Sequence, residues 1–231
     1  ATAPFSINAG TITNSNANFE TITYTVTPKL NGCADGPPQM VSVIVEPTPV
    51  AVPTNNLPTI CNGGTPDISI TSPTVPSVAP NLTFDVSVSL PAGVTGTGVA
   101  GAGTTGASAP FSVNTGTLNN STNSSQTVVY TITPRLSGCA NGTPQVVNVV
   151  VEPSPVAVVT NNSPAICTGS SPSIDVTSPT APSIPGNLTF DVTVSLPAGV
   201  TGTGVAGSGV VGATAPFSIN TGTLTHDNLS N

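Results

Sequence analysis

The chain has 231 residues, of which only 5 % are charged, and its formal net charge is −7. Two cations are too few for a nucleic-acid partner, because binding to phosphates needs clustered Lys and Arg. Pro or Gly interrupts every apolar run before it reaches the roughly 20 residues of a membrane-spanning helix. Abundant Val, Ile and Thr beside 25 Pro and 23 Gly favour strands and turns over disorder.

The predicted elements are short strands, because apolar residues alternate with polar ones along most of the chain. In chain order the middle third carries Ile68 and Ile70, then Leu82, Phe84, Val86, Val88 and Leu90, then Val128, Tyr130 and Ile132, and last Val147, Val149 and Val151. No segment has a convincing helical period. The pattern predicts an all-β chain of antiparallel, immunoglobulin-like β-sandwich domains that follow one another in an extended rod.

A repeat of 106 residues runs through the whole chain, since Ala3-Pro4-Phe5-Ser6 recurs at 109–112 and again at 215–218. Proline-rich linkers at 45–49 and 151–155 mark the boundaries, because closely spaced prolines stiffen an extended joint. The period predicts the C-terminal part of one repeat at 1–47, a complete repeat at 48–153 and the N-terminal part of a third at 154–231. We therefore expect a section of a longer chain, a processed product, or a protomer whose ends are completed by neighbouring chains.

The four cysteines, Cys33, Cys61, Cys139 and Cys167, show no metal-binding spacing, which favours structural disulfides in an oxidising compartment. Their partners stay open. Cys61 could bridge to Cys139 within the complete repeat, although the topology puts these two at opposite ends of the domain. Cys33 could bridge to Cys61 and Cys139 to Cys167 across neighbouring repeats, or Cys61 could pair with a cysteine outside this sequence.

The same end-to-end arrangement predicts a contact at the joint between repeats. Glu46 lies at the exit of the first repeat, and Arg135 lies beside the last hairpin of the second. We expect these two charges to form an inter-domain pair that orients the joint, worth at most about 1 kcal/mol if it is exposed to solvent.

The sequence favours no catalytic or cofactor site. Residues 96–101 match the GxGxxG nucleotide fingerprint, but the glycine-rich tract continues where a helix would be needed. His226 is the only histidine, and asparagines replace it in the other repeats. Asp67, Asp85 and Asp191 occur singly and not in a calcium-binding loop, which disfavours calcium. A domain joint, where carboxylates and carbonyls meet, is the one place where the sequence leaves calcium open.

Four segments carry a family resemblance: Ile22–Pro28, the Asn31–Cys33 turn, Val43–Pro49 and Thr59–Gly63. They resemble the PKD-like, immunoglobulin-like tandem repeats of giant surface proteins of Bacteroidota, of the gliding-motility adhesin type. The resemblance implies export through the type IX secretion system, display at the cell surface, and service as a stalk or adhesive filament.

These observations together predict a secreted, non-enzymatic structural or adhesive filament. Its expected partners are neighbouring repeats of the same chain, and after them sister filaments or surface polysaccharide. One alternative is a glycan-binding or spacer module array of a secreted enzyme, although the chain has no Trp for stacking on sugars. Another is a fibre that assembles by strand complementation between chains.

Overall fold

A computed structural model gives the structure of the chain and describes residues 4–96, 108–113, 116–202, 210–219 and 222–226. These residues form an all-β protein with several antiparallel sheets and two single-turn 3₁₀ helices, Ala79–Asn81 and Pro185–Asn187. The strands are β1 (Glu20–Val26), β2 (Gln39–Val45), β3 (Val52–Asn55), β4 (Thr59–Ile60), β5 (Ile68–Thr71), β6 (Leu82–Ser89), β7 (Val94–Gly96), β8 (Phe111–Val113), β9 (Leu118–Asn120), β10 (Gln126–Leu136), β11 (Gln145–Val151), β12 (Val158–Asn161), β13 (Ile174–Thr177), β14 (Phe190–Val192), β15 (Val200–Gly202), β16 (Val210–Ala213), β17 (Phe217–Ile219) and β18 (Leu224–His226).

The strands β3 to β11 build a sandwich of two main sheets. One sheet has the order β4-β11-β10-β6, the other has the order β3-β5-β8, and β7 pairs with β9 beside them. β3 pairs antiparallel with β5 in one sheet, and β4 pairs in parallel with β11 in the other. The chain therefore changes sheets between β3 and β4. Asn55 holds this crossing, because its side chain accepts a hydrogen bond from the Leu57 amide and donates one to the Asn148 carbonyl on β11.

The core of this sandwich follows the alternating pattern of the sequence. On β6 the buried residues are Leu82, Phe84 and Val86, and on β10 every second residue from Val128 to Leu136 is buried. Tyr130 and Phe84 are fully buried, and the Phe84 ring lies 6.0 Å from the ring of Phe111 on β8. Burial of each such side chain stabilises the fold by about 1.5–3 kcal/mol. The alternating burial confirms the strands that the sequence predicts at β6 and β10.

The outer parts of the chain repeat pieces of the same layout. The hairpin β1–β2 has the register of β10–β11 one period earlier, with Glu20 opposite Val45 as Gln126 is opposite Val151. The sheet β12-β13-β17 likewise repeats β3-β5-β8. Residues 165–166, which correspond to β4, form no strand. β4 pairs in parallel with β11, and the described residues of the third repeat include no equivalent of β11.

Burial differs sharply between equivalent positions. Val147 and Val149 on β11 are 9 % and 0 % exposed, whereas the corresponding Val41 and Val43 on β2 are 56 % and 45 % exposed. In the middle of the chain β11 packs against a second sheet, and the β1–β2 hairpin has no such cover among the described residues. The apolar face of β1–β2 is therefore open.

Candidate functional site

Specific polar contacts form at two joints of the described structure, one after β2 and the other after β11. Each joint begins with a Glu-Pro dipeptide, and Pro47, Pro49 and Pro153 are buried. Proline suits these positions because it has no backbone N–H that burial would leave without a partner. The linkers therefore pack into the joints as ordered structure.

A glutamate at each joint binds the next repeat. The Glu46 carboxylate accepts hydrogen bonds from the backbone amide of Ser77, at 3.0 Å, and from the hydroxyl of the same serine. Glu152 does the same with Ser183, again at 3.0 Å from the amide nitrogen. Hydrogen bonds to an ionised carboxylate are about twice as strong as neutral ones, so this contact fixes the orientation of the joint.

Backbone hydrogen bonds add a short parallel bridge beside each glutamate. At the first joint the amide of Phe19 donates to the Val75 carbonyl at 3.0 Å, and the amide of Val75 donates to the Ala17 carbonyl at 2.8 Å. At the second joint Ala181 exchanges the same pair of bonds with Asn123 and Ser125. These bonds place the loop after β5 or β13 against the loop before β1 or β10.

The threonine of the same loop holds the linker itself. Thr74 is buried, and its hydroxyl accepts a hydrogen bond from the Val50 amide at 2.9 Å. Thr180 repeats this contact with Val156 at 2.9 Å. Two consecutive joints thus use the same groups at the same spacing, and both are formed by a carboxylate, a proline and a polar loop.

The hairpin loop after β10 closes the first joint from the other side. A Cβ atom placed on Gly142 would lie 1.8 Å from the carbonyl oxygen of Pro49, so only glycine fits at this position. In the same loop Cys139 and Ala140 line a cleft with Glu46 and Pro47. The loop therefore brings Cys139 to the first joint.

Asn120 organises the opposite end of the sandwich. Its side chain donates to the carbonyls of Ser124 and Val151 at 2.8 and 3.0 Å and accepts from the amide of Thr122 at 2.9 Å. Asn14 makes the corresponding bonds in the first repeat, to Asn18 and Val45. Since Val151 and Val45 directly precede the two joint glutamates, these asparagines fix where each glutamate leaves its sheet.

Glu46 and Arg135, which the sequence predicts to pair, each contact another residue in the structure. Glu46 binds Ser77, and the Arg135 guanidinium pairs with Asp85. Arg135 lies opposite Thr83 on the neighbouring β6, so Asp85 is two residues away on the same strand and face. Each of the two charges therefore has another partner in the structure, and the inter-domain pair of Glu46 with Arg135 stays a prediction.

All four cysteines are exposed and unpaired in this structure. Cys139 lines a cleft at the first joint, whereas Cys61 lines a cleft at the second joint with Glu152 and Pro153. The two cysteines of the middle repeat therefore lie at opposite ends of it, where the sequence topology had put them. Their pairing stays a prediction.

The remaining candidate residues take structural roles or lie elsewhere. Asp67 accepts a hydrogen bond from the Asn56 amide group at 3.1 Å, and the backbone amide of His226 donates to the Thr168 hydroxyl. The glycine-rich match at 96–101 falls, beyond Gly96, outside the described residues. Within the described part, no three His, Cys, Asp or Glu residues come close enough to hold a metal ion, and no helix is long and apolar enough to span a membrane.

Sequence reasoning missed Ser77, Thr74 and Asn120, although the sequence contains a signal for them. Glu46 and Ser77 recur as Glu152 and Ser183 at the same separation of 31 residues. Polar residues that recur at fixed spacing on both sides of a linker are candidates for a joint.

Comparison with known proteins identifies one domain family in the chain. No curated protein matches the chain. The PKD-like domain family matches residues 59–155, which cover β4 to β11 and the start of the second joint. A domain of this kind fits an extracellular adhesive or structural module, and the chain therefore carries a PKD-like domain of all-β, immunoglobulin-like architecture at residues 59–155.

Proposed function

We propose that this protein is a non-enzymatic, extracellular structural or adhesive filament built from tandem 106-residue repeats. The observation that carries the proposal is the joint. Two consecutive linkers use the same carboxylate, hydroxyl and backbone contacts, Glu46 with Ser77 and Glu152 with Ser183. If every joint uses the same contacts, each domain is related to the next by the same rotation and translation. A regular filament has this symmetry.

The polar chemistry of these joints suits a load-bearing role. Each joint combines buried proline, a parallel backbone bridge and charge-assisted hydrogen bonds, all between residues close to the domain boundary. Interfaces between domains of one chain usually permit relative motion unless specific contacts oppose it. Here the contacts oppose bending, so successive domains keep a fixed orientation and extend the reach of the molecule.

More specifically, we propose a surface adhesin of the gliding-motility type in Bacteroidota that is exported by the type IX system; this is the finer assignment. Its repeats are bounded at 1–47, 48–153 and 154–231. The four resembling segments around Ile22–Pro28 and Thr59–Gly63 support it. Low surface charge suits packing against sister filaments or polysaccharide, since few ionic groups must lose water on contact.

Electron microscopy of native material, together with its mass under denaturing and reducing conditions, tests the filament. We expect regularly spaced beads along one very long polypeptide. A compact globular particle, or an enzymatic domain that accounts for most of the mass, would contradict the proposal. Deletion of the gene should abolish surface attachment or gliding if the finer assignment is right.

A second candidate function is a fibre assembled by strand complementation, in which a second copy covers the open face of β1–β2. The specific observation is the exposure of Val41 and Val43 at positions whose equivalents are buried in the middle repeat. Residues 154–231 repeat the strands that would cover this face, so a sheet of one copy can pack on the hairpin of another.

Tyrosine fluorescence separates this assembly from a single long chain. The chain has two Tyr and no Trp, so a Tyr130→Phe variant reports on Tyr24 alone. Complementation predicts that Tyr24 becomes protected from acrylamide quenching as protein concentration rises, and that Val43→Asp abolishes this protection. Met40→Asp, on the outer face of β2, is the matched control, because Met40 and its equivalent Val146 are both exposed. Concentration-independent quenching would exclude assembly by complementation.

A further inference from the structure

We propose that Cys61 forms a disulfide with the cysteine that occupies the Cys139 position of the following repeat, so that every joint carries one covalent bridge. The inference rests on the proposed tandem filament. It assigns the partner of each cysteine, and it explains why no two of the four are paired within the described chain.

The first step is the place of Cys139 at the first joint. Its loop lines a cleft whose other wall consists of the end of the first repeat, namely Ile12, Thr13, Asn14, Glu46, Pro47 and Thr48. One period later these positions are Leu118, Asn119, Asn120, Glu152, Pro153 and Ser154. A cysteine at the Cys139 position of the third repeat would therefore face this second group at the second joint.

The second step is the place of Cys61, whose loop lies on the same group. Gly63 donates to the Leu118 carbonyl at 2.8 Å, the Asn62 side chain accepts from the Asn120 amide at 2.7 Å, and it donates to the Ser154 hydroxyl at 2.8 Å. Cys61 itself lines the second cleft with Glu152 and Pro153. Two cysteines, one from each side of the joint, thus converge on one surface.

The same equivalence applies at the first joint. Ile12, Asn14 and Thr48, which correspond to the residues that contact the Cys61 loop, line the cleft beside Cys139, so in the proposed tandem repeat this cleft is where a Cys61-type loop belongs. The thiol of Cys139 therefore borders the volume in which its partner loop belongs. Both thiols are exposed, so an oxidant can reach them.

The chemistry is thiol–disulfide exchange with an oxidant of the disulfide class. One thiolate attacks the oxidant and forms a mixed disulfide, and the second thiolate displaces it to form the sulfur–sulfur bond. The two cysteine thiols lose two electrons and two protons, and the disulfide oxidant is reduced to two thiols. Such an oxidant is available outside the cytoplasm.

An extended chain tests the pairing directly. Repeating Gln126–Pro153 after Asn231 continues the 106-residue period and completes the third sandwich, with one added copy of Cys139. Dilute protein is equilibrated with oxidised and reduced glutathione, unfolded, alkylated and weighed by mass spectrometry. We expect the 231-residue chain to alkylate at all four cysteines and the extended chain to lose two reactive thiols.

Two substitutions in the extended chain identify the pair. Cys61→Ser should leave every remaining cysteine open to alkylation, whereas the matched control Cys167→Ser should keep the bridge. Full alkylation of the extended chain, or a bridge that survives Cys61→Ser, would overturn the assignment. Circular dichroism and electron microscopy of the same samples report on the repeat fold and on beaded filaments, so failure of the disulfide is distinguishable from failure of the proposed function.

A second pair of variants needs no extension. Thr48 and Ser154 are equivalent positions at the two joints. Thr48 lines one cleft together with Cys139, and the Ser154 hydroxyl accepts a hydrogen bond from Asn62, the neighbour of Cys61. We expect Thr48→Cys to form a disulfide with Cys139 and Ser154→Cys to form one with Cys61. If either variant stays fully reduced in the folded chain, the two cysteines do not reach a common point and the proposal is wrong.

Discussion

At the scale of single residues, the polar side chains of Thr74 and Asn120 are buried and hydrogen-bonded. Asn120 is 3 % exposed and connects three segments through its amide group. Among the described residues that are not exposed, no buried side-chain nitrogen or oxygen is left without a hydrogen bond. A buried network of this kind costs more to interrupt than an exposed one, because the remaining groups lose their partners without regaining water.

Replacing Asn120 measures this cost. We expect Asn120→Ala to lower the free energy of unfolding of the middle domain by about 2–4 kcal/mol, since the Val151 and Ser124 carbonyls lose their donor. Denaturant unfolding followed by circular dichroism gives the value. The exposed neighbour Asn119→Ala is the control, with an expected change within about 0.5 kcal/mol. Equal effects of the two substitutions would contradict the role given to Asn120.

Asp175 predicts a pH dependence in the third repeat. The Ser218 hydroxyl, 2.5 Å away, and then the Asn162 amide, at 2.7 Å, hold the pKa of Asp175 below its ordinary value of 3.8. Because the pKa is lower in the folded state, the contribution of Asp175 to stability is present above pH 3.8 and is lost as the pH falls through the folded pKa.

Carboxyl chemical shifts in an NMR titration measure this pKa. We expect Ser218→Ala to raise the pKa of Asp175 towards 3.8, because the largest stabilising hydrogen bond is removed. Ser112→Ala, the equivalent change in the middle repeat, should leave it unchanged. A pKa that does not respond to Ser218→Ala would show that the hydrogen bond is absent in solution.

At the scale of elements, the joints are expected to open independently of the sheets that they connect. Glu46→Gln keeps the size of the side chain and removes its charge, so the bonds to Ser77 weaken by about 1 kcal/mol. We expect amide hydrogen exchange at Val75 and Ser77 to become about fivefold faster, with Val86 in the core unchanged.

The second joint supplies the matched control for this experiment. Glu152→Gln should accelerate exchange at Ala181 and Ser183 and leave Val75 and Ser77 as they are. If each glutamate substitution affected both joints, the joints would be coupled through the middle domain. If neither affected its own joint, the carboxylate would not hold it.

The strands of the middle repeat were predictable from the sequence, whereas the contacts across the joints were not. Alternation from Leu82 to Ser89 and from Gln126 to Leu136 reports directly on which side chains face the core. The partner of Glu46 depends on the rotation between successive domains, and a sequence period contains no rotation angle. The parallel pairing of β4 with β11 was not predicted either, because the two residues of β4 are too few to show an alternating pattern.

At the scale of the whole molecule, charge contributes little to stability. The described residues contain two ion pairs, Lys29 with Asp35 and Arg135 with Asp85, and the first of these is well exposed. Exposed pairs contribute up to about 1 kcal/mol and are screened by salt, so apolar burial must hold the sandwich together.

Salt therefore provides a test of what stabilises the molecule. Raising the ionic strength from about 0.01 M to about 1 M shortens the screening length from about 30 Å to about 3 Å. We expect the free energy of unfolding to change by less than about 1 kcal/mol over this range, measured by denaturant unfolding at each salt concentration. A loss of several kcal/mol would contradict this expectation, because ion pairs such as Arg135 with Asp85 would then contribute a large part of the free energy of unfolding.

The joints also bear on how such a protein changes during evolution. Each joint uses groups from only the two repeats that it connects, as Glu46 with Ser77 and Glu152 with Ser183 show. From Asn81 to Gly101 and from Asn187 to Gly207 the sequence differs only by Ser87 against Thr193. Insertion or loss of one whole repeat would leave every remaining contact intact, so recombination between copies could adjust the length of the molecule while preserving its stability.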